Sequence, residues 1–249
     1  MSSILKKQPF EGGVSTEAPA NKGLPRSIEF LIAAAGLAVL LPVLAVCAIL
    51  VRIGSRGPVI FRQQRMGRGG TLFTLYKFRT MVVSDNGPLI TAANDSRITR
   101  IGRVLRKWKL DELPEIYNVL RGDMSFVGPR PEVPQLIDFS DPAWNTILKA
   151  RPGITDSVTL RLRNEEALLA AAENKESFYR DVVQPFKIKG YLEYLQAKSL
   201  VTDLKILIQT IKVILFPRTA PPDHSSSLLR KGLPKEIYYP LIVSFGLLY

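Results

Sequence analysis

Two adjacent carboxylates, Asp111 and Glu112, stand in the run Lys107-Trp108-Lys109-Leu110-Asp111-Glu112-Leu113-Pro114-Glu115. Arg103, Arg106, Lys107 and Lys109 crowd their upstream side. Asp is a preferred helix N-cap, and Pro is tolerated in a first turn because the N–H it lacks would have no partner there. The pair is therefore expected at the start of a short helix that Gly122 ends. Backbone N–H groups and the helix dipole converge at such a start on anything negative, phosphate included. Two carboxylates, a cationic rim and an anion-binding helix end suit a metal-assisted phosphate site. The competing reading is an N-cap with solvated charges, and N-caps far outnumber active sites.

Other cations can join this pair only if the fold brings them there. Thr71 to Met81 alternates well from Phe73 to Phe78 and reads as a strand. Lys77 and Arg79 would share one face of it, with Tyr76 and Phe78 on the other. Arg130 lies between Pro129 and Pro131, which fix its backbone. A guanidinium held that way suits bidentate phosphate recognition; an ordinary surface turn is the alternative. Arg151-Pro152-Gly153-Ile154-Thr155-Asp156 is another Pro/Gly-fixed loop that carries a cation and a carboxylate. Asp95 to Gly102 looks like a helix cap and first turns, bringing Arg103 and Arg106 toward Asp111.

The remaining sequence says where such a site would work. The chain has 249 residues, enough for one large or two small domains, and a net charge of +12, which calls for an anionic partner. Its single cysteine, Cys47, excludes an internal disulfide and a cysteine-rich zinc site. The only histidine, His224, falls in a Pro/Ser tract and reads as a solvated loop residue rather than part of a Ser-His-Asp triad. Residues 1–25 read as a disordered arm without secretory-signal features. From Phe30 to Val51 no residue carries a formal charge, and 22 residues suffice to cross a bilayer core of about 30 Å. Pro42, preceded by Leu41, falls near the middle and should bend the helix. Lys22 and Arg26 precede this run, and Arg52, Arg56, Arg62 and Arg65 follow it. Positive residues mark the cytoplasmic side, so two positive flanks favour a bent helix that enters and leaves through one leaflet; a single span is the alternative. A short strand at Val59–Phe61 follows. Residues 132–150 and 164–200 read as helical. In 202–216, Thr202, Lys205, Gln209 and Lys212 form a narrow polar stripe on an otherwise apolar helix, suited to a membrane interface or to a buried core. Residues 217–249 read as a linker and a short apolar tail.

Six blocks then resemble a known family: the apolar segment with its central Pro, Gly57–Gly67, Tyr76–Met81, Leu110–Pro114, Asn118–Glu132 and Arg151–Thr155. The order is similar to that of the bacterial sugar transferases, the monotopic polyprenyl-phosphate phosphoglycosyl transferases, from about Arg26 to about Phe216. The chain looks like the short, catalytic-domain-only members. The resemblance implies transfer of a sugar phosphate from a UDP-sugar to polyprenyl (undecaprenyl) phosphate with release of UMP, at the cytoplasmic face of the bacterial inner membrane. It implies Asp111 as covalent nucleophile and Glu112, beside Asp111, as the Mg²⁺-binding carboxylate. Lys77, Arg106 and Arg130 match cationic positions around the diphosphate, and Asp156 a loop near the active site; Arg79, on the strand face of Lys77, is expected to join the phosphate-binding cations.

The expected fold is α+β: a mainly helical, membrane-associated catalytic domain (57–216), a small β element, and one re-entrant membrane helix (26–56) bent at Leu41-Pro42. The bilayer is an expected partner, a homodimer is compatible, and nucleic acid is not expected, because basic motifs interleaved with aromatics are missing. Two departures stand out. Leu41 occupies a position where the family often has Ser, and Glu29 stands three residues after Arg26 where the family often has Asp. A non-catalytic membrane partner of a polysaccharide assembly system is the alternative function; the intact Asp111-Glu112 pair argues against it.

Overall fold

A computed structural model describes residues 23–82 and 90–216. The tail 217–249 with His224, and the arm up to residue 22, lie outside the described residues. Helix α1 (Arg26–Gly54) is continuous and contains the whole uncharged run together with Pro42. An 18-residue window within it has mean hydropathy 2.8, and only 11% of that window is buried. A core helix of a soluble domain would be mostly buried, so α1 has an apolar surface that its own domain leaves bare. Its buried residues fall in two places: Glu29 and Ala33 near the start, Cys47 and Val51 near the end. None of residues 34–46 is buried.

The same domain receives both patches. A hairpin of β1 (Ile60–Met66) and β2 (Leu72–Phe78) pairs Ile60 with Phe78 and Met66 with Leu72. Gly69 (φ 69°) and Gly70 (φ 72°) supply the left-handed turn between them. The strand expected at Val59–Phe61 therefore runs on through Arg65, because pairing with β2 satisfies its backbone whatever its side chains are. Helix α2 (Arg100–Lys107) starts at the N-cap Thr99, whose Oγ1 accepts from Gly102 N–H at 2.9 Å. Helix α3 (Glu115–Arg121) stops at Gly122 (φ 92°). Ala33 packs with Phe73, Leu75, Val119 and Met124; Cys47 and Val51 pack with Phe78 and Leu105. Thus α3 and β2 hold the start of α1, and α2 and β2 hold its end.

The loop expected at Arg151–Asp156 contains a strand, and so does the stretch after Gly122. β3 (Ser125–Val127) and β4 (Gly153–Thr155) pair in parallel. A Cβ on Gly153 would sit 2.1 Å from Gly128 N, so glycine is required for this approach. Strands of three residues are too short to declare a period. The stretch 132–150 holds one short 3-10 turn (Pro134–Leu136) and α4 (Pro142–Ile147) rather than a full helix. Pro131, Pro134 and Pro142 remove the donors that a longer helix would need.

Next come α5 (Ser157–Arg161), α6 (Glu165–Ala170) and α7 (Lys175–Phe178). A π turn (Tyr179–Val183) joins α7 to α8 (Gln184–Gln196), and α9 (Leu200–Leu215) follows. α4 to α8 enclose the largest apolar core, built on Trp144, Leu162, Leu169, Phe178, Val183 and Tyr191, while Ile206 of α9 packs with Val127, Leu160 and Tyr194. In α9 only Asp203 and Ile206 are buried, while Leu204, Ile208, Ile211 and Leu215 are exposed. Asp203 accepts from Leu24 N–H at 2.9 Å and from the Tyr194 hydroxyl at 2.7 Å, which ties the entrance of α1 to α8 and α9.

Candidate active site

The carboxylate pair is not at an N-cap. Trp108 closes α2, and Lys109 then takes a left-handed conformation (φ 55°, ψ 21°), the only non-glycine to do so among the described residues. A 3-10 turn over Leu110–Glu112 follows, and the N-cap position of α3 is Pro114, which has no side-chain cap. The N–H groups of Glu112 and Leu113 donate to the carbonyls of Lys109 and Leu110. Leu113 N–H is the one donor that an Asp111 cap could have served, because Pro114 has none, and with it bonded to the backbone the Asp111 side chain is left for something else.

Asp111 is buried, and its Oδ1 has no hydrogen-bond partner. Burial, and then the neighbouring Glu112 charge, raise its carboxyl above the ordinary aspartate value; Lys77, Lys109 and Arg106 oppose that rise. Glu112 behaves differently. Burial pushes its carboxyl up, but Arg130, Lys77 and Lys109 outweigh burial and hold it well below the usual range. Its Oε1 accepts from Lys77 Nζ at 3.2 Å and from the Arg130 guanidinium. Adjacent in sequence, the two carboxylates are thus driven in opposite directions.

A third carboxylate, unremarked in the sequence, completes the cluster. Glu115 is 1% exposed, with Oε1 3.1 Å from Lys77 Nζ and 3.9 Å from the Arg130 guanidinium. Burial raises its carboxyl, and the Lys77 charge only partly compensates. Helical spacing from Asp111 and Glu112 was the signal that could have found it. Asn118, fully buried, was missed as well. Its Nδ2 donates to Thr74 O at 2.7 Å and its Oδ1 accepts from Tyr76 N–H at 3.1 Å. It docks α3 on the free edge of β2 and so sets Lys77 opposite Glu112.

The other expected residues divide. Arg130 joins the site, held between its prolines and donating to Ile154 O at 3.1 Å. The charges of Glu112 and Glu115 overcome its burial and keep it firmly protonated. Arg106 lies near enough to act on Asp111, but its guanidinium grips Glu166 at 2.6 Å and reaches Thr80 Oγ1 at 3.3 Å. Arg79 does not join. β2 ends at Phe78, so the strand alternation no longer governs it. Its guanidinium turns to the carbonyls of Ser55 (2.8 Å), Arg56 and Val51 at the end of α1. Those unpaired carbonyls at a helix C-terminus attract a cation. Asp156 takes the capping role instead. Its Oδ1 accepts from Val158 and Thr159 N–H at 2.6 and 2.9 Å, and its Oδ2 from the Thr159 hydroxyl at 2.6 Å. Leu41 and Pro42 lie on the exposed middle of α1. The Arg26–Glu29 pair forms at 3.7 Å, and Glu29 also accepts from Phe126 N–H at 3.2 Å.

Among the described residues no group of three or more His, Cys, Asp or Glu side chains converges as a ready-made metal cage. Mg²⁺ commonly takes only one or two carboxylates and completes its shell with substrate phosphate and water. The unpartnered, buried Asp111 Oδ1 beside the ionised Glu112 fits such a donor set. The arrangement as a whole presents one carboxylate without a hydrogen bond on Oδ1, a second carboxylate held ionised, and cations around both. That combination suits attack on phosphorus.

Comparison with known proteins points the same way. The family described as Bacterial sugar transferase matches residues 20–217. The UDP-glucose:undecaprenyl-phosphate glucose-1-phosphate transferase of Caulobacter vibrioides is 37% identical over 195 residues, 76% of this chain and 69% of that protein. The exopolysaccharide production protein ExoY of Sinorhizobium fredii is 32% identical over 212 residues, 78% of this chain and 86% of that protein. The UDP-N-acetylgalactosamine-undecaprenyl-phosphate N-acetylgalactosaminephosphotransferase of Aeromonas hydrophila is 33% identical over 203 residues; 80% of this chain matches 45% of that protein, less than half its length.

Proposed function

The chain belongs to the bacterial sugar transferase family, and from that membership we propose that it is a phosphoglycosyl transferase that acts on a UDP-sugar and undecaprenyl phosphate. It serves the first membrane step of a bacterial surface polysaccharide or glycan. The observation that carries this reading is the Asp111 carboxylate, buried, with one oxygen free of hydrogen bonds, in the field of Lys77, Lys109 and Arg106.

Asp111 is the nucleophile. One of its oxygens attacks the β-phosphorus of the UDP-sugar, the bond from that phosphorus to the bridging oxygen breaks, and UMP leaves with the bridging oxygen and its electron pair. A phosphate oxygen of the polyprenyl phosphate then attacks the same phosphorus. The Asp111–phosphorus bond breaks, the carboxylate returns, and the product is a polyprenyl-diphosphate sugar. Two displacements through an acyl phosphate replace one difficult meeting of a soluble and a lipid substrate. A poorly solvated carboxylate without a hydrogen bond on Oδ1 keeps lone pairs available for phosphorus. Lys77, Arg130 and Arg106 offset the charge that spreads over the equatorial oxygens. Glu112 and Asp111 would hold Mg²⁺, which when bound supplies a Lewis acid for the diphosphate oxygens.

The domain works at the cytoplasmic face of the inner membrane, with α1 entering and leaving one leaflet. Both ends of α1 pack on one domain while residues 34–46 stay unburied, which favours a helix bent at Pro42 that re-enters one leaflet over a span. Membranes supplied with Mg²⁺, a panel of UDP-sugars and polyprenyl phosphate should release UMP. Without acceptor, intact-mass analysis should find one phosphosugar on the wild-type chain and none on Asp111→Asn; UMP release undiminished in that variant would overturn the mechanism. Cysteines introduced by Ser27→Cys and Ser55→Cys should both resist labelling from outside; reaction of one would mean a span.

A further inference from the structure

The exposed side of α2 is a second charged surface. Arg100, Arg103, Val104 and Lys107 recur at i, i+3, i+4 and i+7 and share one helix face. All four are exposed, and Trp108, 50% exposed, continues the face. Lys107 Nζ lies 6.0 Å from the centre of the Trp108 ring. The sequence carries no acidic residue from Ser96 to Leu110, and Arg100, Arg103 and Lys107 have no ion-pair partner among the described residues. Like charges three and four residues apart oppose the helix that carries them. Such a face is tolerated most easily where an external anionic surface neutralises it.

The opposite side of α2 says where that surface lies. Leu105 packs with Cys47 and Val51 of α1. Ile101 lies so close to Gly54 that a Cβ there would be 2.7 Å from its Cγ1. α2 is thus fastened to the last two turns of the apolar helix, where α1 leaves the bilayer if the membrane reading of α1 holds. Cations around a half-exposed indole are the composition of a protein surface at the headgroup layer, where the indole settles and the cations meet phosphate. We propose that this face of α2 binds anionic phospholipid headgroups of the bilayer that α1 enters, and so seats the Asp111 turn, which begins one residue after Trp108, at the membrane surface.

The chain's two tryptophans make the contact measurable, because Trp144 is buried and Trp108 is not. The full-length protein is placed in nanodiscs of phosphatidylcholine with a fixed fraction of phosphatidylglycerol, and bromine is carried on one lipid or the other at equal mole fraction. Trp108→Phe gives the Trp144 background. At low salt the brominated anionic lipid should quench Trp108 at least about twofold more than brominated phosphatidylcholine, since each basic residue near an anionic surface is favoured roughly fivefold. The excess should vanish at about 1 M salt, where the screening length is about 3 Å, and in the triple variant Arg100→Gln, Arg103→Gln, Lys107→Gln. Equal quenching by the two lipids in the wild type, or a preference that survives the triple variant, overturns the proposal. Leu41→Trp in the Trp108→Phe background reports on α1 separately. Quenching there without an anionic preference at Trp108 rejects the α2 surface alone; no quenching at either position rejects the membrane reading with it.

Discussion

Asp111 and Asp156 are two buried aspartates, one in a 3-10 turn and one at the N-cap of α5, and burial raises the carboxyl of both. Asp156 spends both oxygens on Val158 N–H, Thr159 N–H and the Thr159 hydroxyl. Asp111 has an oxygen with no partner at all. Residue types gave Asp111 the stronger claim to be a cap, and the family resemblance gave Asp156 a place in a loop near the active site; the fold reverses the capping role. The difference lies in the backbone around them. The 3-10 turn at Leu110–Glu112 satisfies its own donors, whereas α5 begins with donors that only a side chain can reach. A buried carboxylate whose hydrogen bonds are filled is a structural part; one whose bonds are withheld is available to a ligand or a reaction.

Conservative substitution should split the two most widely. Asp111→Asn preserves shape and removes the nucleophile, and UMP release should fall by about four orders of magnitude with the far-ultraviolet spectrum unchanged. Asp156→Asn keeps an acceptor for the two N–H groups and should retain activity within about threefold. Similar losses in the two variants would erase the distinction. Next in size is Arg130→Lys, which keeps the charge and loses the fork that meets Glu112 while also donating to Ile154 O. Turnover should drop by about two orders of magnitude, more in kcat than in KM.

Stability should reverse the ranking. Asp156→Ala leaves two backbone donors and a hydroxyl without their acceptor, and should cost about 2–3 kcal/mol in denaturant unfolding. A cost below about 0.5 kcal/mol would mean that water replaces the carboxylate and that Asp156 is not the structural member of the comparison.

How much of this could be read in advance follows from the same contrast. The long apolar helix, the strand from Phe73 to Phe78 and the cation between two prolines were legible, because each rests on a local rule that no distant residue overrides. Lys77 was legible as a strand residue on a cationic face. Arg79, two positions on, was not, since nothing local tells it that β2 has ended and that the carbonyls of Ser55 and Val51 are waiting. Glu115 and Asn118 carried no local signal that set them apart. Only the docking of α3 on β2, with Asn118 bonded to Thr74 and Tyr76, turns both inward. The β3–β4 pair and the third carboxylate are products of that tertiary placement, which periodicity cannot express.

The smallest effect tests the comparison most directly, because it asks what the fold loses by keeping Asp111 ready. Burial and the Glu112 charge raise the Asp111 carboxyl above its unfolded value of 3.8. Between 3.8 and the folded value the native state keeps a proton that the unfolded chain has released, so rising pH through that window lowers stability. Below 3.8 both states are protonated and no penalty exists. Asp111→Asn removes the ionisable group and hence the penalty. In chelator, without substrate, its melting temperature should exceed that of the wild type at pH 7, and the gap should close as the pH falls toward about 4. The gain at pH 7 should come with the loss of catalysis, the trade expected where a charged group is kept unsatisfied for function. A melting temperature that drops in Asp111→Asn would instead mean that the carboxylate is held by bonds of its own, and would place Asp111 beside Asp156 as a structural residue.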